Sequence, residues 1–221
     1  LIDRNYSDQN ETVQINLKVA DSDTRLQVEV PDFLGENFRD LVELKESELV
    51  SKWLNDTDTL VYFMNEVTPP EFEDDHGPED DESPMPAKDV PPFSIKTISA
   101  VAMNIMVLKC LLSKKTFKKV VVVLSWWDKN TDNGVVPNNP QKYLKEYSPA
   151  LFNFIQYHIP NFEIIGLSAQ GQEYPKEDQG DYEATKKEIK AKTREGKRSF
   201  VEIEDKILHD LSLPLYLLIK E

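Results

Sequence analysis

The chain has 221 residues, enough to bury the core of an ordinary domain. Its formal net charge is −14, from 40 acidic and 26 basic side chains, and 39% of its residues are hydrophobic. That field repels phosphate backbones and anionic lipid, which argues against general nucleic-acid binding and against a membrane-surface role.

In chain order, "TVQINLKVADSDTRLQVEVP" (12–31) holds two alternating runs around a polar turn. Val13, Ile15, Leu17 and Val19 share one strand face, Leu26, Val28 and Val30 another, so an antiparallel hairpin is predicted. Leu41, Leu44, Leu49 and Trp53 have helical spacing after a Gly-containing loop. "TDTLVYFMN" (57–65) reads as a strand. Residues 69–93 are rich in proline and acid, with eight acids and no base between Glu71 and Glu82. They are expected to form a disordered insertion or long surface loop. "SIKTISAVAMNIMVLKCLL" (94–112) is apolar on most sides and predicts a helix set against a sheet. It contains Cys110, the chain's single cysteine, expected as a small core residue and unable to form an internal disulfide.

The four valines and leucine at 120–124 predict a strand buried on both faces. Residues 140–158 predict a helix that Pro149 kinks or divides. "FEIIGLSAQG" (162–171) predicts another buried strand. A polar helix over 183–195, a hairpin in "SFVEIEDKILHDL" and a closing helix from Pro214 complete the order. Single buried strands alternating with helices predict an α/β fold with a mostly parallel sheet. No long apolar span and no signal-type start is present, so the cytoplasm is the expected location.

In such folds ligands bind beyond the C-terminal ends of strands, and three strand ends carry chemistry. The first is Asp32-Phe33-Leu34-Gly35, directly after the hairpin. A carboxylate there can hold a Mg²⁺-bound water, and glycine lets a backbone N–H approach a phosphate. The second is Ser125-Trp126-Trp127-Asp128, where the acid can accept both N–H donors of a guanine edge. An acid capping the next turn, beside two tryptophans burying area at the rim, is the alternative. The third is Ser168-Ala169, small residues that can offer a backbone N–H to a base carbonyl. Each pattern also occurs in ordinary turns.

Together, in this order, the three resemble the third, fourth and fifth boxes of the translation-factor and Ras-like superclass of P-loop GTPases. Those boxes are D-x-x-G, [NT]-K-x-D and S-A-x, and the likeness runs over roughly residues 5–172. A narrower resemblance, to the bacterial double-GTPase group, rests on tryptophan in the fourth box and on the C-terminal "LPLYLL" helix.

The resemblance implies a Ras-like G domain, a three-layer α/β sandwich with one antiparallel hairpin strand, over residues 1–221. Residues 173–221 would be a C-terminal extension packed upon it. It implies binding of GTP and GDP with Mg²⁺, held by Thr12, standing where a switch threonine is expected, and Asp32. The Gly35 amide would sense the terminal phosphate. Ser125, Trp126, Asp128, Ser168 and Ala169 would hold the base. Glu36 stands where relatives carry the glutamine that orients attacking water, so slow hydrolysis is expected.

Two departures are visible. Trp126 replaces the usual lysine and Ser125 the usual Asn or Thr of the fourth box, and no G-x-x-x-x-G-K-[ST] pattern occurs in the 221 residues. The chain begins at Leu1 rather than Met, and the protein is expected to continue upstream. A rival reading is a pseudo-GTPase acting as a protein-interaction module, with both tryptophans exposed and the acidic loop as partner surfaces. A different α/β enzyme is a third reading; His76, His158 and His209 occur singly, in no recognisable catalytic spacing.

Overall fold

The alternating runs at the start of the chain pair as expected. In a computed structural model that describes residues 12–18, 25–31, 41–43, 48–65, 67, 98–129, 139–172 and 182–219, β1 (Thr12–Lys18) and β2 (Arg25–Pro31) form an antiparallel two-stranded sheet. Val13 stands opposite Val30, Ile15 opposite Val28 and Leu17 opposite Leu26, so the register sets apolar positions across from one another. The chain divides into two compact units, Leu1–Thr57 and Asp58–Glu221. The first also contains α1 (Glu48–Asp56), which buries Val50 and Leu54. Leu44 and the acidic segment 69–93 lie outside the described residues.

The second unit is built on a five-stranded sheet, β3 (Thr59–Met64), β4 (Lys119–Ser125), β5 (Phe162–Ser168), β6 (Phe200–Ile203) and β7 (Lys206–Leu208), hydrogen-bonded in that order. β3, β4 and β5 are parallel, and the β6–β7 hairpin adds two antiparallel strands beside β5. The fold is therefore α/β with a mixed sheet whose core is parallel, consistent with a Ras-like G domain.

Parallel neighbours need crossovers, and helices supply them. α2 (Ala100–Lys114) joins β3 to β4; its N-cap Ser99 accepts a hydrogen bond from the Ala102 N–H at 3.3 Å. α3 (Pro140–Tyr147) and α4 (Pro149–His158) join β4 to β5. They are the two halves of the helix predicted over 140–158. Pro149 lacks the N–H that a continuous helix needs, and it opens α4 directly after Ser148. α5 (Tyr182–Arg194) precedes the β6–β7 hairpin, and α6 (Leu213–Ile219) closes the described chain.

Along β4 side chains alternate across the sheet and are buried on both faces. Val121, Val123, Ile165 and Val201 cluster with Leu217 of α6 on one face. Val120, Val122 and Leu124 point the other way and are equally buried; α2 and α4, packed on each other, bury Leu108, Leu111, Leu151 and Ile155. Complete burial of five consecutive residues explains why this strand is a continuous apolar run. Cys110 is half-buried on α2 rather than part of the core. Among the described residues no helix is long and apolar enough to cross a membrane.

Candidate functional site

The parallel strands β4 and β5 end side by side, with Ser125 in register with Leu167. Beyond Ser125 the backbone turns sharply. Trp126 has φ 55°, a left-handed conformation that bulky side chains rarely adopt, and a single 3₁₀ turn follows over Trp127–Lys129. The Lys129 N–H donates to the Trp126 carbonyl at 2.8 Å and closes that turn.

The reversal separates two adjacent indoles. Trp126 is thrown outward and is 57% exposed, with the Lys129 Nζ 5.2 Å from its ring centre. Trp127 is swung inward and is 0% exposed. The expectation that both tryptophans are exposed is thus corrected: the positive φ of Trp126 sends its neighbour into the core. Trp127 packs edge-on against Tyr143 of α3, with ring centres 5.2 Å apart. Its Nε1–H donates to the buried Glu202 carboxylate on β6 at 2.7 Å.

Asp128 meets the end of β5. The Ser168 hydroxyl donates to the Asp128 carboxylate and accepts the Gly171 N–H at 2.7 Å. Ser168 is fully buried, whereas Asp128 is half-buried and Ala169 exposed. Ser168 therefore does more than supply a small residue to the loop: its side chain fixes the aspartate and the backbone turn together. Gly171 has φ 75°, and a Cβ there would fall 1.7 Å from the Arg198 carbonyl oxygen, so the turn accepts only glycine without moving. Arg198 in turn donates from Nε to the Gln170 carbonyl at 2.8 Å.

The structure thus gathers Ser125, Trp126, Asp128, Ser168 and Ala169 at one pair of strand ends. Thr12 opens β1 opposite Pro31, the residue directly before Asp32 in sequence. Asp32, Gly35 and Glu36 lie outside the described residues. Among the described residues no group of three or more His, Cys, Asp or Glu side chains could hold a metal ion.

Sequence reasoning missed Glu202, Gly166, Gly171 and Lys129. Glu202 is 3% exposed. Burial pushes its carboxyl above the usual value, Asp205 adds to that, and the Trp127 indole and the Asn139 backbone N–H oppose it. The nearest sequence signal was an acid inside an apolar strand pattern, which does not name its partner.

The family model for Double-GTPase 1 matches residues 2–218. The chain belongs to this family. Within the chain, Asp128 follows the end of β4 and is held by Ser168 at the end of β5. No curated protein and no solved structure matches the chain.

Proposed function

We propose that this double-GTPase chain is a guanine-nucleotide-binding switch domain that binds GTP with Mg²⁺ and hydrolyses it slowly. The observation that carries the reading is the Asp128–Ser168–Gly171 chain of hydrogen bonds at the ends of β4 and β5. A carboxylate fixed at a strand end accepts two N–H donors, which guanine presents at N1 and N2 and adenine does not.

In this reading Asp128 reads the base edge and the exposed Ala169 backbone N–H takes the base carbonyl. Trp126 lies in place of the usual lysine stem and covers the base by stacking, with Lys129 beside it. Ser125 supports the start of the turn. Thr12 and Asp32 hold Mg²⁺, which when bound neutralises phosphate charge. The Gly35 amide senses the terminal phosphate. Glu36, an anion beside a polyanion, orients water poorly, and that accounts for slow turnover. Residues 1–221 act as one domain in the cytoplasm, residues 173–221 being its C-terminal extension, and a protein partner reads the nucleotide state.

Titration of the intact protein with GTP and ATP tests the proposal. Tighter binding of GTP, lost on Asp128→Ala, supports it. Absent binding together with no thermal stabilisation by either nucleotide favours an interaction module instead. Retained GTP preference in the Asp128→Ala variant removes the assigned reader.

A further inference from the structure

The face of β5 that receives the 126–129 turn is built from alternate residues. Gly166 and Ser168 lie two apart, so they share a face, opposite the one where Ile165 meets the α6 cluster. Gly166 is in register with Leu124 on one side and with Glu202 on the other. Trp127 lies on Gly166 so closely that a Cβ there would come within 2.4 Å of the indole. The indole then reaches across to the carboxylate of Glu202, the cross-strand neighbour of that glycine. Two successive residues of the turn are therefore held at two successive same-face positions of β5, Trp127 by Gly166 and Glu202 and Asp128 by Ser168.

This attachment opposes strain. Trp126 sits in a left-handed conformation that is costly for a bulky side chain, and that cost favours unwinding the turn. One hydroxyl contact at Asp128 leaves the turn free to swing about it, whereas a second hold one residue away fixes its direction. The indole N–H is buried away from water and needs an acceptor, and Glu202 is the acceptor the structure provides. The same carboxylate accepts the backbone N–H of Asn139, the N-cap of α3, so it also ties the turn to the helix that packs on Trp127.

We infer that Glu202, on the C-terminal hairpin, is a positioning residue for base recognition, setting the aim of Asp128 through the Trp127 indole. The inference rests on the assignment of Asp128 as the base reader. It makes the C-terminal hairpin part of the nucleotide-specificity apparatus although it does not touch the base.

The test compares the ratio of ATP to GTP dissociation constants, by calorimetry on the intact protein, among wild type, Glu202→Ala, Glu202→Gln and Trp127→Phe, with melting temperatures measured alongside. Glutamine keeps a carbonyl acceptor for the indole; alanine keeps none. Loss of the hold lowers the ratio about tenfold or more in Glu202→Ala, and Glu202→Gln restores most of it. Trp127→Phe, which keeps a ring and deletes the donor, lowers the ratio in the same direction. Should Glu202→Ala not fold, Trp127→Phe decides. A ratio unchanged in Glu202→Ala or in Trp127→Phe, or both affinities falling equally with melting temperature, overturns the inference. Asp128→Ala separates the two levels. If it leaves the ratio intact, the base-reader assignment and this inference fall together. If it abolishes the ratio while the Glu202 variants keep theirs, the inference alone falls.

Discussion

Replacement of Gly166 by alanine asks whether Trp127 is as confined as the structure makes it. An added Cβ meets three atoms of the indole at 2.4, 2.4 and 2.7 Å, contacts that real methyl groups do not make. The ring has little room to retreat, with Tyr143 against it and its Nε1–H held by Glu202 at 2.7 Å. Overpacking of this kind costs about 1–3 kcal/mol. If the ring yields by breaking the Glu202 bond, a further loss of about 1–3 kcal/mol follows, because a buried acid and an indole both lose a partner. With both losses the expected total is about 2–6 kcal/mol, which for a chain of this size lowers the melting temperature by about 4–24 °C. Differential scanning fluorimetry gives the midpoint, and near-ultraviolet circular dichroism reports the asymmetry around the buried indole. A melting temperature within about 2 °C of wild type, with an unchanged tryptophan signal, would refute the packing argument.

Trp126→Gly separates binding from stability. It removes an exposed ring and relieves a positive φ, so stability changes by no more than about 1 kcal/mol while GTP affinity falls about tenfold with the loss of stacking; equal affinity would remove Trp126 from the base site. Glu202 predicts a pH dependence with a definite sign. Burial raises its folded pKa above the ordinary 4.5, so the native state holds that proton more tightly and stability from this group declines as pH rises from the unfolded to the folded value. The groups facing it are Trp127, Asn139 and Asp205, with Lys142 paired to Asp205 at 3.9 Å on the surface. The melting temperature of Glu202→Gln relative to wild type should therefore rise from pH 4 towards pH 8; a flat or falling difference contradicts the raised pKa.

Local pattern carried the elements and strand ends far better than it carried their attachments. The buried run at 120–124, the division of a helix at Pro149 and the hairpin near the C-terminus are each written in neighbouring residues, through alternation, a missing N–H or a polar turn. The meeting of Asp128 with Ser168 was legible only as a coincidence of order, two boxes at the ends of two strands. The structure adds the hydroxyl that joins them. The opposite fates of Trp126 and Trp127 were not legible, since they depend on one backbone angle and on a glutamate 75 residues later. Gly166 looked like an ordinary small residue in a strand; its necessity comes from an indole that arrives from a different segment. The first strand end, Asp32 to Glu36, lies outside the described residues.

The central claim, that Asp128 reads guanine, is tested most directly by changing what it reads. Asparagine at this position keeps one acceptor oxygen and gains an N–H₂ donor, which matches xanthine, whose C2 carries an oxygen in place of the amino group. Competition binding of GTP and xanthosine triphosphate to the intact Asp128→Asn protein is the measurement. The account predicts a reversed preference, with xanthosine triphosphate bound about tenfold or more tightly than GTP, because the mismatched pair leaves two donors facing each other. A variant that still prefers GTP as wild type does would contradict it.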